Sequence, residues 1–457
     1  MTGPRHIAVI DIGKTNAKLA LVDLATLTEI AVVTRPNTVL PGPPWPHFDT
    51  EGHWRFLLDA LAAFHRAHRV DAISITTHGA CAALLAADSS LAAPVLDYEH
   101  DGPDLVANAY DALRPGFAET GSPRLAHGLN LGAQLHWQFL TDPGLPDRVA
   151  QVVTWPQYWA HRLTGRVASD VTSLGCHTDL WNPAVGAFSS LVARLGLEGR
   201  MAPPMRSDTV LGMILPEVAA ETGLDPATPV VCGIHDSNAS LLPHLMAQKA
   251  PFAVVSTGTW VVTMAVGGKA TPLDPARDTL INVNALGDPV PSARFMGGRE
   301  YEVIRAGRDL VGSPADMAAV LAEGVMLLPA VEPSSGPFAG RAMGWRPEET
   351  RGDGRRDAAL GFYLALMTAE CLAITGAAWP VIVEGPFAAN EAYLWMLTAA
   401  SGQPVRRARS RTGTSIGAAL LFGAARALDG TEPVEVPVDL AASLADYAAQ
   451  WRALVAG

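Results

Sequence analysis

Three short polar segments of the sequence follow apolar runs and combine residue types that can bind phosphate or accept a proton. The first, Asp11–Lys18, places a carboxylate before a turn of glycine and small polar residues. Backbone N–H groups in such a turn can bind phosphate oxygens, and the carboxylate can hold Mg²⁺ through water. The turn is not a P-loop, because Ala8 stands where that motif has its first glycine and because the turn leads into a strand. An ordinary polar hairpin explains the same residues equally well.

The second segment, Ser256–Trp260, is another small-residue turn near the middle of the chain. The apolar run 252–257 before it is similar to the run 7–12 before the first turn, and a second apolar run follows each turn. We interpret this pattern as an internal duplication with one hairpin in each half. Two such turns can hold an oligophosphate from both sides. The alternative is a chance similarity between two plain hairpins.

The third segment contains Asp236, which follows the apolar run 230–232 and a glycine. The pattern predicts a strand that ends just before Asp236 and a helix that begins there. An unperturbed aspartate has a pKa of about 3.9, so this carboxylate is ionised at neutral pH. A carboxylate at a strand end can accept the proton of a substrate hydroxyl. The alternative role is that of a helix N-cap.

Two further polar clusters are suited to binding the hydroxyls of a polyol. Thr76–Gly79 ends a predicted strand, and the cluster at 97–101 follows shortly after it. A single histidine such as His78 is also common as a structural residue. None of the 13 histidines has metal-ligand spacing with cysteine or glutamate.

The elements around these segments alternate in type, which predicts an α/β fold. The apolar stretch 358–383 resembles a membrane span in composition, but Gly361, Gly376 and Pro380 interrupt it, so we expect a buried helix followed by a strand. The predicted strands are 7–10, 19–22, 30–34, 72–76, 261–266 and 381–383, and the predicted helices are 54–68, 361–374, 390–400 and 415–427.

Composition limits the class of protein. The 457 residues are 49% hydrophobic and 17% charged, which excludes global disorder. The net charge of −12 argues against a nucleic-acid or anionic-membrane partner. The four cysteines form no CxxC pair, so we expect buried free thiols in a reducing compartment. The first residues lack a signal-peptide apolar core, and we therefore expect a cytoplasmic protein.

In their order along the chain, these segments resemble the FGGY family of carbohydrate kinases. Asp11–Lys18 and 256–259 are similar to the two phosphate motifs of that family, and His235-Asp236 is similar to its catalytic aspartate with the preceding residue. Residues 381–402 resemble the adenosine segment, and 411–421 resemble the closing Gly-Ala-Ala helix. The turn Gly13–Asn16 with Lys18, and the His-Asp pair, are most similar to the fuculokinase and rhamnulokinase branch.

The resemblance implies two duplicated actin-like (ribonuclease H-like) ATPase domains, 1–245 and 246–457, with a nucleotide and sugar cleft between them. The first domain would carry the sugar site and the first phosphate motif, and the second domain would carry the other phosphate motif and the adenosine site. Two departures from the family pattern stand out. Lys14 replaces a small residue, where it either adds a phosphate contact or merely fills the turn. Pro386 removes a backbone donor where the family has glycines.

The implied reaction is ATP-dependent phosphorylation of a small sugar, a ketose or 6-deoxyketose, with Asp236 as general base and Asp11 holding Mg²⁺. ATP-binding regulation without phosphoryl transfer is the alternative, and a carboxylic-acid substrate would require an arginine in the pocket. Some members of the family dimerise, so a homodimer is among the expected assemblies.

The resemblance also implies which residues contact the two substrates. The implied nucleotide contacts are Asp11, Gly13, Lys14, Thr15, Asn16, Lys18, Thr257, Gly258, Thr259 and Gly385, and the implied sugar contacts are His78, Gly79, Tyr98, Glu99, His235 and Asp236.

Overall fold

The computed structural model describes residues 3–347, 352–409, 413–423 and 430–456. The chain divides into two compact units, each with its own sheet and core. The first unit comprises Met1–Met246, Ile281–Pro289 and Thr412–Leu428, and the second comprises Ala247–Leu280, Val290–Arg411 and Asp429–Gly457.

The strands are mostly short, and the long ones form the two main sheets. In chain order they are β1 (His6–Ile12), β2 (Asn16–Asp23), β3 (Thr28–Pro36), β4 (Val39–Leu40), β5 (His47–Phe48), β6 (Ala72–Thr77), β7 (Ala82–Leu85), β8 (Gln151–Thr154), β9 (Ser169–Asp170), β10 (Trp181–Asn182), β11 (Ala187–Phe188), β12 (Pro204–Met205), β13 (Val210–Met213), β14 (Pro229–Val231), β15 (Ile234–His235), β16 (Phe252–Thr257), β17 (Val261–Val266), β18 (Thr279–Val283), β19 (Pro289–Phe295), β20 (Met326–Leu328), β21 (Gly344–Arg346), β22 (Val381–Glu384), β23 (Val405–Ala408) and β24 (Thr431–Pro433).

The helices range from single turns to long core helices. In chain order they are α1 (Thr50–His68), α2 (Ala107–Leu113), α3 (Phe117–Thr120), α4 (Leu131–Thr141), α5 (Leu145–Arg148), α6 (Trp155–Thr164), α7 (Val171–Leu174), α8 (Ser190–Arg194), α9 (Pro216–Thr222), α10 (Asp236–Ala247), α11 (Gly297–Arg305), α12 (Pro314–Glu323), α13 (Asp353–Ile374), α14 (Glu391–Ser401), α15 (Thr414–Ala419) and α16 (Val438–Ala456).

The main sheet of the first unit has the order β13-β14-β6-β1-β2-β3, and β15 also pairs with β6. β1 and β2 form an antiparallel hairpin, while β6 lies parallel to β1 on the other side. This register pairs Asp11 with Lys18 across the hairpin and with Thr76 on β6. β15 is also parallel to β6, and His235 pairs with Thr77. The carboxyl ends of β1, β6 and β15 therefore meet at one edge, where α/β proteins bind ligands.

The main sheet of the second unit repeats this arrangement. β16 pairs antiparallel with β17 and parallel with β22, and β19 pairs antiparallel with β17. Ser256 takes the position of Asp11, since it pairs with Val262 across the hairpin and with Glu384 on the parallel strand. The equivalent positions of the two hairpins confirm the predicted internal duplication.

The apolar stretch that resembles a membrane span forms α13 and β22, as predicted. Among the described residues, α13 is the one helix long and apolar enough to cross a membrane by length and composition, and 78% of its apolar window is buried within the protein. It is a core helix that packs beneath the second sheet, beside α14. The predicted helix 415–427 begins one residue earlier, and α15 ends at Ala419; its expected end at 424–427 lies outside the described residues.

Candidate active site

The first polar turn connects β1 to β2. The Gly13 N–H donates to the carbonyl of Asn16 (2.9 Å), which closes the turn, and Thr15 and Asn16 are exposed at its tip. Asn37, which follows β3, holds the turn from the side: its Nδ2 donates to the Gly13 carbonyl (2.8 Å), and its N–H donates to the Thr15 carbonyl (2.9 Å). Asn37 was not among the predicted site residues, because nothing in its local sequence pattern links it to the turn.

Asp11 is the second-to-last residue of β1, and its side chain is 13% exposed. Lys18 Nζ lies 3.1 Å from Asp11 Oδ2, and Thr414 Oγ1 donates to the same oxygen at 2.7 Å. Within the described residues, no group of three or more His, Cys, Asp or Glu side chains can hold a metal. One partly exposed carboxylate fits Mg²⁺, because this ion keeps most of its waters and often takes only one or two protein ligands. Thr414 was missed, since 403 residues separate it from Asp11.

The side chain of Lys14 extends from the turn towards the 97–101 cluster. Its Nζ pairs with a carboxylate oxygen of Asp97 and lies 3.1 Å from Oε2 of Glu99. The ammonium also sits over two rings, 5.0 Å from the centroid of Tyr98 and 5.4 Å from that of Phe48. The long side chain thus carries its charge from the turn into the 97–101 cluster, where two carboxylates hold it.

His78 follows β6 and is buried. Its Nδ1 lies 2.8 Å from the Gly79 carbonyl, which can only accept, so Nδ1 carries the proton. Burial lowers the pKa of His78 to about 4, and the ring is therefore neutral at pH 7. Nε2 is then an acceptor, and it is buried without a hydrogen-bond partner among the described residues. Such an atom suits a ligand hydroxyl, and the ring of Tyr98 flanks it at 5.2 Å between centroids.

Asp236 begins α10, with its side chain 34% exposed, while His235 before it is buried. Asp236 Oδ1 accepts the N–H of Ser237 (2.6 Å). An N-cap side chain would accept the N–H two or three positions further along, so the cap alternative does not describe the observed contact. His235 packs directly on Gly79, where a Cβ would come within 2.5 Å of its Nε2.

Buried polar groups hold the His235-Asp236 segment in place. The His235 N–H donates to Thr172 Oγ1 (3.0 Å). Cys176 lies beside His177 and His235; burial alone would raise the pKa of this thiol, but the two imidazoles outweigh burial and lower it. All four cysteines are buried and free of disulfides, as predicted.

The first unit therefore brings the predicted residues together in two neighbouring groups. Asp11 and Lys18 meet at the turn, together with Thr414. The other group runs from Lys14 through the 97–99 segment and His78-Gly79 to His235-Asp236. α15 lies against α10 so closely that a Cβ on Gly417 would meet the Ala239 carbonyl oxygen at 1.8 Å, which explains the glycine in the Gly-Ala-Ala sequence.

The polar turn of the second unit lies against two other glycine segments. The Gly258 N–H donates to the Trp260 carbonyl (2.9 Å), and Thr257 Oγ1 donates to the Glu384 carbonyl (2.6 Å). Gly385 has a φ of +82°, and a Cβ there would lie 2.0 Å from the Thr257 carbonyl oxygen. A Cβ on Gly298 would lie 2.2 Å from the Gly258 carbonyl oxygen. Only glycine permits this backbone-to-backbone packing.

A cavity of about 930 Å³ adjoins these segments within the second unit. Its walls combine apolar side chains with a few polar groups, as is typical of a ligand site. Burial raises the pKa of Asp357 in its wall, while Oδ2 of this residue accepts the Gly312 N–H (2.9 Å). The wall of this cavity contains part of 381–402, the segment that resembles the adenosine segment, together with residues of 298–317 and Asp357, which were not among the predicted site residues. The lining residues include Gly258, Thr259, Gly298, Tyr301, Val311, Met317, Asp357, Pro386, Phe387, Asn390 and Trp395.

Comparisons with known proteins give consistent results. The model of the N-terminal domain of the FGGY family of carbohydrate kinases matches residues 6–243, and that of the FGGY carbohydrate kinase C-terminal domain matches 249–431. L-Fuculokinase of Haemophilus influenzae is 30% identical over 153 residues, which cover 32% of this chain and 31% of that protein. The chain thus spans about a third of the length of this curated relative.

Solved structures match over nearly the whole chain. A carbohydrate kinase from Novosphingobium aromaticivorans has a TM-score of 0.92 at 36% identity, covering 100% of this chain and 99% of the other. A xylulose kinase from Rhodospirillum rubrum has a TM-score of 0.80 at 21% identity, covering 99% and 98%. These matches confirm the predicted duplicated actin-like fold. With both of its domains matched by the family models, the chain belongs to the FGGY family of carbohydrate kinases.

Proposed function

We propose that this protein transfers the γ-phosphate of ATP to a hydroxyl of a small sugar, a ketose or 6-deoxyketose. The observation that carries the proposal is that one unit contains both the partly exposed Asp236 carboxylate and the neutral His78, whose buried Nε2 has no hydrogen-bond partner among the described residues. One group can accept the proton of the attacking hydroxyl, and the other can fix a neighbouring hydroxyl. The names of the relatives, L-fuculokinase and xylulose kinase, agree with a ketose or its deoxy derivative.

Domain 1–245 would bind the sugar through His78, Gly79, Tyr98, Glu99 and His235. Asp236 accepts the proton as the hydroxyl oxygen attacks phosphorus in line with the leaving ADP oxygen. Catalysis of this kind depends mainly on positioning and on charge stabilisation. The four buried free cysteines fit the expected cytoplasmic location.

The nucleotide contacts would come from both domains. The turn at 13–16 and Lys18 would bind phosphate oxygens in the first domain. In domain 246–457, Thr257, Gly258 and Thr259 would do the same, and the cavity beside Gly385 and Phe387 would take the adenosine. Asp11, positioned by Lys18 and Thr414, would hold Mg²⁺ through water. When bound, the ion would neutralise phosphate charge.

The test is ADP release with Mg-ATP against a panel of ketoses, deoxyketoses, polyols and aldoses, followed by the same assay on Asp236→Asn. We expect one or two sugars to stimulate release strongly, and the variant to lose about 10²- to 10⁴-fold in turnover. ATP affinity, measured by calorimetry, should stay within about twofold, because the amide keeps the shape of the carboxylate.

Asp142→Asn is the matched control. Its side chain is 36% exposed, similar to that of Asp236, and it forms a surface ion pair with Arg148. Such pairs contribute little to stability, so turnover should be unchanged. Near-normal turnover of Asp236→Asn would remove the proposed base. ATP binding with no stimulation by any sugar would favour the regulatory alternative.

A further inference from the structure

Lys14 belongs to the phosphate turn in sequence, but the contacts of its ammonium indicate a different role for this side chain. It leaves the phosphate turn and ends between two carboxylates, those of Asp97 and Glu99. Asp97 Oδ1 also accepts the N–H of Glu99 (3.2 Å), so the ammonium and this backbone bond hold the segment in one conformation. The Lys14 side chain is only 23% exposed, whereas the Glu99 side chain is 61% exposed. The mostly buried Lys14 side chain thus stabilises the conformation of the more exposed 97–99 segment.

Two aromatic rings hold the ammonium from its other sides. Tyr98 and Phe48 present their rings to Nζ at 5.0 and 5.4 Å, within the range of a cation–π attraction. An ammonium has three N–H donors, and the two carboxylates engage two of them. One donor therefore remains for a further acceptor.

The same two rings contact His78. The Phe48 and Tyr98 centroids lie 5.3 and 5.2 Å from that of the imidazole. His78 is followed by Gly79, which packs on His235 and so leads to Asp236. Lys14 is therefore connected to Asp236 through the two rings, His78, the backbone of Gly79 and His235. Its ammonium lies in this group of residues and not over the backbone of its own turn.

We infer that Lys14 determines acceptor specificity and that the acceptor is a neutral polyhydroxy sugar rather than a sugar acid. The inference rests on the proposed function. Asp97, Glu99 and Asp236 contribute three carboxylates to this group. Burial lowers the pKa of His235, but Cys176 and Asp236 outweigh burial and raise it to about 10. Two cations, Lys14 and His235, therefore face three carboxylates, so an anionic acceptor meets net repulsion. A neutral sugar can donate its hydroxyls to the carboxylates and accept from Lys14. No arginine is required, in contrast to an acid-binding pocket.

The decisive experiment compares Lys14→Met with Lys18→Met. Methionine keeps the length of the lysine stem and removes its charge. For Lys14→Met we expect the sugar KM to rise about tenfold or more, because hydrogen bonds to charged groups are lost, while the calorimetric Kd for ATP stays within about twofold. Lys18 pairs with Asp11 at the phosphate turn. For Lys18→Met we therefore expect the Kd for ATP to rise and the sugar KM to stay unchanged. Lys14→Arg keeps the charge and should recover part of the sugar affinity.

The acid form of the best sugar completes the test. The wild-type enzyme should phosphorylate the corresponding aldonate at least tenfold less efficiently, and Lys14→Met should not improve on this. Weaker ATP binding with an unchanged sugar KM in Lys14→Met would make Lys14 a phosphate ligand and overturn the inference, as would preference for the aldonate. A wild-type enzyme that phosphorylates no sugar would instead remove the proposed function, and the inference with it.

Discussion

At the scale of single residues, the site depends on pairs that are far apart in the sequence. Asp11 and Thr414 are separated by 403 positions, and Lys14 and Asp97 by 83. Sequence patterns report local periodicity and turn chemistry, so they located Asp11, Asp236 and His78 but not the partners that orient them. The direction of a long side chain such as that of Lys14 depends on which carboxylates lie within its reach. A motif comparison covers only neighbouring positions in the sequence, so it does not include these carboxylates.

The bond from Thr414 to Asp11 gives a prediction at this scale. Thr414→Val preserves the shape of the side chain and removes the hydroxyl that donates to Asp11 Oδ2 at 2.7 Å. The carboxylate then loses a charge-assisted hydrogen bond and part of its fixed orientation. We expect the Mg²⁺ concentration for half-maximal activity to rise roughly tenfold, measured at saturating ATP and sugar.

Thr26→Val is the control for this experiment, because Thr26 is exposed in the turn between β2 and β3. Its Mg²⁺ dependence should match that of the wild type. If Thr414→Val lowers only the melting temperature and leaves the Mg²⁺ dependence unchanged, then Thr414 supports the fold and not the metal site.

At the scale of elements, prediction succeeded where a strong period or a turn defined the segment. Both hairpins, β22 and the buried α13 were predicted, although α13 begins at Asp353, eight residues before the predicted start at 361. α1 begins at Thr50 instead of 54 because Asp49 caps it by accepting the Gly52 N–H (2.9 Å). Residues 272–329 were left without assigned elements, although Ser313 and Asp316 form a capping box that opens α12. The strands in this region are short and one helix is partly polar, so the hydrophobic periodicity was too weak to predict these elements.

The turn between β22 and the helical segment after it yields a second prediction. Gly385→Ala would introduce a Cβ 2.0 Å from the Thr257 carbonyl oxygen, at a residue with a φ of +82°. The turn must then move away from the 257–259 segment, which lines the cavity. We expect a destabilisation of about 1–3 kcal/mol and a loss of ATP affinity of about tenfold or more, measured by denaturation and by calorimetry.

Gly402→Ala is the control that separates the cost of a positive φ from the effect of moving the turn. Gly402 also has a positive φ, +63°, but a Cβ there would meet no atom within 4 Å. This variant should cost about 1 kcal/mol and leave ATP affinity unchanged. Equal losses of ATP affinity in the two variants would argue against a role for the Gly385 turn in nucleotide binding.

At the scale of the whole molecule, each unit contains buried groups whose titration changes its stability in acid. In the first unit, burial lowers the pKa of His53 and of His78 to about 4, so both are neutral when folded and charged when unfolded at pH 5. Folding of this unit therefore loses stability as the pH falls from 6.5 towards 4. In the second unit, burial raises the pKa of Glu300 to about 7, so acid favours its folded state.

His53 offers a test of this argument outside the active site. Arg35 donates to its Nδ1 (2.9 Å), and its Nε2 lies 2.7 Å from Asn37 Oδ1, an arrangement that requires a neutral ring. His53→Gln removes the group that must take up a proton on unfolding. We expect the melting temperature of the variant to fall less than that of the wild type between pH 7 and pH 5, although its value at pH 7 is lower.

His68→Gln supplies the comparison, since His68 is exposed at the end of the same helix. Its loss of melting temperature between pH 7 and pH 5 should equal that of the wild type. A destabilisation of up to a few kcal/mol corresponds to the shift at His53, because each pKa unit contributes about 1.4 kcal/mol. If His53→Gln is as sensitive to acid as His68→Gln, then the buried imidazole does not control the acid response of the first unit, and the titration of its carboxylates must account for it.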